Sequence, residues 1–249
     1  MKKSLIAGNW KMYKTPKESV EFAKELVKNT GFHDDRDILI CPPFTSLLQV
    51  SEVVSGTALK LGAQNVCFED EGAFTGEIST GMLKETGVEY IICGHSERRN
   101  IFGETNFVVN KKVRKTAEAG INPILCVGEK LEERESGKAF EVISSQVRES
   151  LEGFKQPEMI VVAYEPVWAI GTGKTATPEQ AEEVHAFIRN LLAELFDKNL
   201  SESIIILYGG SVKPDNIDSI MLQKNIDGVL VGGASLKVDS FTRIIDYKA

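Results

Sequence analysis

The chain has 249 residues, of which 42% are hydrophobic and 26% are charged, and this composition is typical of a folded globular protein. Its formal net charge of −7 argues against nucleic acid or an anionic membrane as a partner, because an acidic protein has no general attraction for either. An anionic ligand would therefore need a local positive feature, such as one lysine or several backbone amides.

The cysteines and the apolar stretches indicate the cellular compartment of the protein. Cys41, Cys67, Cys93 and Cys126 are far apart and form no CxxC pair, so we predict neither a zinc site nor a disulfide framework. The first residues turn polar before an apolar signal segment develops, and no stretch of roughly 18 apolar residues follows. We therefore expect a cytoplasmic protein.

Eight short apolar runs along the chain predict β-strands. In five of them the apolar residues are continuous rather than alternating, which is typical of parallel strands that are buried on both faces. The first, third and fifth runs are the weaker candidates. In chain order the runs are Leu5–Ala7, Ile38–Ile40, Leu59–Leu61, Ile91–Cys93, Ile124–Val127, Ile160–Val162, Ile204–Leu207 and Val229–Val231.

Helices are predicted between the strands, and two of them have clear start signals. Thr15–Glu18 and Thr177–Gln180 each combine a capping threonine, a proline in the first turn and a capping-box partner. Gly31 is expected to end the first of these helices. The apolar faces are Val20, Ala23 and Val27 in the first helix, and Ala181, Val184, Ile188, Leu191 and Leu195 in the second.

Alternation of strands and helices over the whole chain predicts a parallel sheet. Such a sheet is either closed as an eight-fold barrel or open and doubly wound, and periodicity does not choose between them. No linker or low-complexity tract divides the chain, so we expect one domain over residues 1–249.

Gly8-Asn9-Trp10-Lys11 follows the first predicted strand and places an amide and a cation at its end. In a barrel, the carboxyl ends of the strands form the face that holds the active site. Lys11 is then a candidate for the local positive charge, and an ordinary surface lysine is the alternative.

Cys93-Gly94-His95-Ser96-Glu97 follows the fourth predicted strand. Ser96 is suited to capping a short helix, which puts His95 beside the helix start. The positive end of a helix disfavours an imidazolium, so a neutral His95 could donate a hydrogen bond to a carbonyl and take a proton back. A structural histidine is the common alternative, but Glu97 and the strand-end position favour a functional one.

Glu165 ends the sixth predicted strand and precedes a loop that contains glycine. A carboxylate there could be partly desolvated, which would raise its pKa toward that of a useful general base; a solvated strand-end glutamate is the alternative. The loop over residues 166–176 is a candidate lid, or else an ordinary connection. Gly173-Lys174-Thr175 imitates the end of a nucleotide-binding loop, but the first glycine of that motif would fall on Trp168.

Two glycine pairs follow the last two predicted strands, in Tyr208-Gly209-Gly210-Ser211 and Val231-Gly232-Gly233. Glycine lets the backbone approach an anion closely, and the loops after the last two strands of a barrel frequently bind phosphate through backbone amides. We therefore favour a phosphate site over two simple tight turns.

These motifs together resemble the triosephosphate isomerase family, in order and over essentially the full chain, and the match from Ala163 to Gly173 is the most specific. The resemblance implies an α/β fold, a single-domain (β/α)8 TIM barrel with eight parallel strands. It also implies an aldose–ketose isomerase without a metal or redox cofactor, which interconverts dihydroxyacetone phosphate and D-glyceraldehyde 3-phosphate in glycolysis and gluconeogenesis. The resemblance is carried by the segments around Asn9, His95, Glu165, Ser211 and Gly232.

The resemblance also implies a role for each candidate residue. Glu165 would move a proton between adjacent carbons through an enediolate, and His95 would polarise the carbonyl and relay protons. Lys11 and Asn9 would stabilise the developing charge, and Glu97 would support Lys11. The remaining candidates would bind the phosphate through the backbone near Gly171, Ser211, Gly232 and Gly233.

The segment Gly72-Ala73-Phe74-Thr75-Gly76-Glu77 resembles the protruding loop of the same family. The resemblance implies a homodimer in which Thr75 lies near the active site of the second subunit. A routine loop with an exposed phenylalanine is the alternative.

Two other function classes remain open on the residues alone. Another phosphate-binding barrel, such as an aldolase or an isomerase of a larger sugar phosphate, would share the glycine pairs but not the combined Asn-Lys, His and Glu motifs. A Schiff-base enzyme would need a lysine at a strand end, and Lys11 is a candidate by position only. A barrel that binds without catalysing is disfavoured by the intact acid–base set.

Overall fold

The computed structural model describes residues 2–31, 33–169 and 176–248, and its eight parallel strands form a closed barrel. Each strand pairs with its neighbours in sequence, and the last pairs with the first, for example Leu5 with Gly228. This pairing excludes the open sheet, and each of the eight predicted strands is confirmed. The strands are β1 (Ser4–Asn9), β2 (Arg36–Cys41), β3 (Leu59–Ala63), β4 (Tyr90–Cys93), β5 (Asn122–Val127), β6 (Val161–Tyr164), β7 (Ile205–Tyr208) and β8 (Gly228–Val231).

Helices follow the strands around the outside of the barrel. None of those in the described ranges is long and apolar enough to cross a membrane. They are α1 (Pro16–Asn29), α2 (Leu47–Val54), α3 (Thr80–Glu85), α4 (Ser96–Ile101), α5 (Asn106–Glu118), α6 (Leu131–Glu135), α7 (Ala139–Ser150), α8 (Pro178–Leu195), α9 (Lys198–Ser203), α10 (Ile217–Met221) and α11 (Val238–Ile245).

Two apolar layers explain why the strands are continuously hydrophobic. Successive side chains of a strand point to opposite faces, so Leu5 and Ala7 lie in the barrel interior while Ile6 packs between barrel and helices. The interior layer consists of strand residues from around the barrel, and the outer layer joins strands to helices. Both faces of each strand are therefore buried, as parallel sheets require.

The predicted helix starts are confirmed by the capping hydrogen bonds. Thr15 Oγ1 accepts the N–H of Glu18 at 3.4 Å, and Glu18 Oε2 accepts the N–H of Thr15 at 2.7 Å. Thr177 and Gln180 form the same reciprocal pair at the start of α8.

The buried faces of α1 and α8 differ in how well they were predicted. In α8 the predicted residues are buried, with Leu195 partly so. In α1 the buried face is shifted by one position from the valines: it consists of Ser19, Phe22, Ala23 and Leu26. The prediction for Gly31 is wrong in detail, because α1 ends at Asn29 and the extended Thr30 caps it, donating from Oγ1 to Leu26 O at 2.7 Å.

Candidate active site

The predicted site residues meet at the carboxyl ends of the strands. Asn9 ends β1, His95 lies two residues beyond β4, and Glu165 follows β6 directly. Gly171 lies outside the described residues. A cavity of about 340 Å³ is lined by Asn9, Lys11, His95, Glu165, Ser211, Gly232 and Gly233, together with several neighbours in the loops after β7 and β8.

Glu165 and His95 form a buried pair inside this cavity. They are only 2% and 6% exposed, and His95 Nε2 lies 2.9 Å from Glu165 Oε1. His95 Nδ1 accepts the backbone N–H of Glu97 at 3.3 Å. A ring nitrogen accepts a hydrogen bond only when it has no proton, so this contact favours the tautomer whose proton is on Nε2.

Ser96 completes the surroundings of the Glu165 carboxylate. Its backbone N–H donates to Oε2 at 2.9 Å and its hydroxyl donates to Oε1 at 3.0 Å. The sequence prediction that Ser96 caps α4 is therefore wrong. Ser96 is the first residue of that helix and His95 is its N-cap, because the hydroxyl is held by a carboxylate from β6 rather than by its own helix.

The pKa of Glu165 differs in direction from the sequence prediction. Burial alone would raise it, but the charge and hydrogen bond of His95 and the two bonds from Ser96 outweigh burial and hold the pKa below its ordinary value. The predicted increase is thus wrong for this arrangement. Glu165 is a carboxylate with three donors, which is a stable ion rather than a strong base.

The pKa of His95 is shifted in the opposite sense. Burial lowers it, but the Glu165 carboxylate more than offsets burial, so that the pKa is raised above its ordinary value. The position beside a helix start had predicted a neutral ring, and the Glu97 amide still favours one. The pKa of His95 therefore depends on where the Glu165 carboxylate lies. If Glu165 moves away, the carboxylate no longer raises this pKa, and burial then lowers it.

Glycines allow the backbone around Glu165 to pack closely. A Cβ on Gly128 would lie 1.7 Å from the carbonyl oxygen of Glu165, and one on Gly209 would lie 3.0 Å from its Cγ. The backbone is fixed by hydrogen bonds from Glu165 N to Val127 O and from Gly209 N to Tyr164 O, both 2.7 Å long. Any larger residue at Gly128 would displace the backbone of Glu165.

Lys11 is held by its side chain and its backbone. Its Nζ forms an ion pair with Glu97 Oε1 at 2.6 Å, and its N–H donates to Asn9 Oδ1 at 3.0 Å. Its φ of 52° is in the left-handed region, which is uncommon for a residue with a Cβ and is concentrated at functional sites. Gln64 stabilises this backbone by donating from Nε2 to the carbonyl oxygens of Lys11 and Cys41, both at 2.9 Å.

The glycine pairs line the same cavity as Lys11, and a Cβ on Gly232 would lie 3.5 Å from Lys11 Cε and 3.9 Å from its Nζ. Gly233 begins a single 3-10 turn that ends at Leu236. Ser235 secures this turn, because its hydroxyl donates to Gly232 O at 2.7 Å. After β7, Asn216 Nδ2 donates to Ser211 O at 2.9 Å. Both loops are thus fixed by side chains outside the glycine motifs.

A second cavity of about 370 Å³ lies on the other side of Glu165. Its lining is polar and includes Arg99, Gln146 and Glu149. Among the described residues that were predicted for chemistry or binding, only Glu165 borders it. The first cavity is therefore the one that brings the predicted residues together.

Glu129 is a buried carboxylate that the sequence analysis missed. It is fully buried and its Oε1 accepts from Trp168 Nε1 at 2.8 Å, from Tyr164 Oη at 3.1 Å and from Arg134 Nη1 at 2.9 Å. It lies two residues beyond β5, so the strand-end rule applied to Glu165 would have found it. Glu129 fixes Trp168 at the start of the candidate lid, of which residues 170–175 lie outside the described part of the chain.

Comparison with known proteins agrees with this arrangement. The sequence model of the family described as "Triosephosphate isomerase" matches residues 4–248. Proteins named triosephosphate isomerase from Carboxydothermus hydrogenoformans and Dictyoglomus thermophilum are 53% and 54% identical over 247 residues, covering 98% of this chain and at least 98% of theirs. That of Endomicrobium trichonymphae is 52% identical over 249 residues and covers 99% of both chains.

A family match and relatives of this similarity extend over nearly the whole chain, including every strand of the barrel and every residue of the cavity. The chain therefore belongs to the triosephosphate isomerase family, and it is an isomerase that interconverts dihydroxyacetone phosphate and D-glyceraldehyde 3-phosphate by proton transfer through an enediolate.

Proposed function

We propose that the cavity formed by the loops after β1, β4, β6, β7 and β8 is the active site, with Glu165 as the base and His95 as the polarising acid. The supporting observation is that His95 Nε2 and Glu165 Oε1 lie 2.9 Å apart in a cavity that Lys11 also lines. A base, a hydrogen-bond donor and a cation thus surround one space large enough for a phosphorylated triose.

Glu165 becomes an active base when it leaves its resting partners. In the arrangement described, Ser96 and His95 donate to both carboxylate oxygens, so these oxygens are not available to a substrate proton. Turning toward the substrate breaks these bonds and leaves the carboxylate desolvated, which raises its basicity. It then takes a proton from the carbon next to the carbonyl and returns it to the neighbouring carbon.

The same movement frees the proton on His95 Nε2. The ring then donates to the carbonyl oxygen of the substrate, which gains negative charge as the enediolate forms. Lys11 and Asn9 stabilise that charge from the side of β1, and Glu97 holds the Lys11 ammonium in place through the 2.6 Å ion pair. No proton is gained or lost in the whole cycle.

The substrate phosphate is proposed to bind backbone amides near Ser211, Gly232 and Gly233, with Gly171 from the loop over residues 166–176 as a further contributor. The lining of the cavity by the loops after β7 and β8 supports this assignment. Closure of the 166–176 loop would exclude water, and an enediolate sheltered from water is protected from loss of phosphate.

Proton NMR in heavy water tests the assignment of the base. Purified protein with dihydroxyacetone phosphate should form glyceraldehyde 3-phosphate and incorporate deuterium at the exchanging carbons. Glu165→Gln should slow both by about 10³-fold, because a positioned base is worth roughly 10²- to 10⁴-fold. Glu52→Gln, which changes an exposed glutamate of α2, is the matched control and should react like the native chain. Equal rates in the two variants would remove Glu165 from the mechanism.

We further propose that residues 1–249 form one catalytic domain that works as a homodimer through the loop around Thr75. Large hydrophobic side chains are exposed in the loops after β1 and β3 and on α4, and Met12 among them is 94% exposed. An exposed apolar surface of this kind is typical of an interface. The residues concerned are Met12, Tyr13, Phe74, Ile101 and Phe102.

Thr75→Arg tests the dimer, because a charge in a closely packed interface opposes association. Sedimentation should show a dimer for the native chain and a shift toward monomer for the variant, with activity falling in parallel. A native monomer with full activity at assay concentration would refute the homodimer. A cytoplasmic location is proposed from the role of the enzyme in glycolysis and gluconeogenesis.

A further inference from the structure

Lys213 is a cation at the phosphate end of the cavity that the sequence motifs did not identify. It lies in the loop after β7, two residues beyond Ser211, and it lines the same cavity as Ser211, Gly232 and Gly233. Its side chain is exposed to solvent, so the ammonium can reach an incoming ligand before that ligand is enclosed.

The ionised side chains already assigned to the site have no net positive charge. Lys11 is paired with Glu97 at 2.6 Å, and Glu165 adds a second carboxylate. With a neutral His95, these three ionised side chains leave the site with an excess of one negative charge. The substrate has a phosphate dianion and the whole chain has a formal charge of −7, so a further cation at the cavity would add to the attraction that the backbone amides supply.

Lys213 is such a cation, because its charge is not neutralised nearby. Within the described ranges it takes part in no ion pair, whereas the Lys11 ammonium is bound to a carboxylate. A cation at the mouth of a cavity attracts anions from solution more effectively when no carboxylate is bound to it.

The backbone of Lys213 is fixed relative to the predicted phosphate site. Asn216 Oδ1 accepts the N–H of Lys213 at 2.8 Å, and Asn216 Nδ2 donates to Ser211 O at 2.9 Å. One amide side chain therefore ties Lys213 to Ser211, and the flexible part of the lysine is limited to its side chain.

We propose that Lys213 is a second cationic binding residue for this enzyme, one that attracts the phosphate group of the triose and holds it at the β7 side of the cavity. Lys11, which lies beside Gly232, and Lys213 then flank the phosphate site from the loops after β1 and β7. This inference rests on the proposed function of the cavity as the active site.

Three variants test the proposal: Lys213→Met removes the charge with little change in length, Lys213→Arg keeps it, and Lys28→Met is the matched control. Lys28 is exposed at the end of α1, which lies at the opposite face of the barrel from the cavity. The measurements are kcat, kcat/KM for glyceraldehyde 3-phosphate and the inhibition constant of inorganic phosphate, each at low and high salt.

Lys213→Met should lower kcat/KM and weaken inhibition by phosphate by about three- to tenfold at low salt, while kcat changes less than about twofold. The difference should shrink at about 0.5 M salt, because screening then acts within a few ångströms. Lys213→Arg should restore both values, and Lys28→Met should match the native chain. Native-like values for Lys213→Met, or a loss unaffected by salt, would overturn the proposal.

Failure of this inference is distinguishable from failure of the proposed function. If Glu165→Gln abolishes exchange while Lys213→Met has no effect, the active site stands and the role of Lys213 is refuted. If Glu165→Gln retains full exchange, the site assignment itself is refuted, and the role of Lys213 with it.

Discussion

His95 and His185 are both almost completely buried, but the groups that face the two rings differ in charge. His95 meets the Glu165 carboxylate at 2.9 Å in an open cavity, and the carboxylate raises its pKa in spite of burial. His185 lies on the buried face of α8, where Nδ1 lies 3.2 Å from the carbonyl oxygen of Asn225. Burial there lowers the pKa to about 4. Burial alone lowers the pKa of a histidine and keeps the ring neutral, whereas an ionised partner makes the pKa depend on the position of that partner.

The surroundings of His95 and His185 are separated by the alternation of side chains along β6 and β7. Tyr164 and Tyr208 end β6 and β7 and belong to the apolar layer beneath the helices, where Tyr164 contacts His185 edge to face. The next residues, Glu165 and Gly209, line the cavity. Because consecutive strand residues point to opposite faces, one residue of sequence separates packing from chemistry. The comparison can therefore be tested by changing one histidine at a time.

The largest difference between the regions is expected in the rate of catalysis. His95→Gln should lower kcat by about 10²- to 10³-fold, roughly 3–4 kcal/mol, which is typical for loss of a donor to a developing oxyanion. His185→Phe should leave kcat within about threefold, because the ring's partners in the described structure, Tyr164, Tyr208 and Asn225, do not line the cavity. A coupled enzyme assay at matched folded concentration measures both. If His185→Phe reduced kcat as strongly as His95→Gln, the division between packing and chemistry would be wrong.

The second difference is expected in the pH dependence of stability. The pKa of His185 is about 4 when folded, against an ordinary value of 6.5, so the unfolded chain takes up its proton first as the pH falls. The stabilising contribution of the neutral ring is fully present above pH 6.5 and is lost between pH 6.5 and 4. The total is about 3 kcal/mol in the free energy of unfolding.

Denaturant unfolding at a series of pH values and one protein concentration measures this loss. His185→Phe should unfold with a shallower dependence on pH between 6.5 and 4 than the native chain, whatever its absolute stability. An unchanged slope would mean that the ring is already charged, or already exposed, in the folded protein.

The fold was predictable from the sequence where the physical rule is local or applies to a whole strand. The capping pairs Thr15–Glu18 and Thr177–Gln180 join residues three apart, so the sequence contains both partners. The strands were recognisable because both faces are buried. Barrel closure was not predictable from periodicity, since it depends on the register of Leu5 with Gly228 at opposite ends of the chain.

The candidate site was predictable in its membership but not in its electrostatics. Strand-end position selected His95 and Glu165, and the glycine pairs selected the loops after β7 and β8. The pKa of Glu165 was predicted in the wrong direction because burial is outweighed by the charge and hydrogen bond of His95, and then by two donors from Ser96, which lies 69 residues away in sequence. A local capping rule predicted that the Ser96 hydroxyl would cap α4. In the structure the hydroxyl instead donates to the Glu165 carboxylate, because hydrogen bonds to charged groups are stronger than those to neutral ones.

The smallest effect is expected for a change at Ser96, which holds the resting Glu165 carboxylate beside His95. Ser96→Ala removes the hydroxyl donor to Glu165 Oε1 but retains the backbone donor, so the resting carboxylate is less stabilised and the pKa of Glu165 should rise. The acid limb of the kcat/KM profile of the free enzyme should then move to higher pH. At neutral pH we expect kcat/KM within about fivefold of the native value, because one hydrogen bond to a charged group is worth roughly 1.5–3 kcal/mol and part of it is recovered from water.

Ser219→Ala is the matched control, because Ser219 on α10 donates to the backbone carbonyl of Asn216 and, in the described structure, to no carboxylate of the site. Its profile should coincide with that of the native chain. If the acid limb of Ser96→Ala instead stays in place or moves to lower pH, the hydroxyl does not stabilise the resting base. The low pKa of Glu165 would then be due to His95 and the Ser96 amide alone, and the two histidines would differ by a single ionic contact.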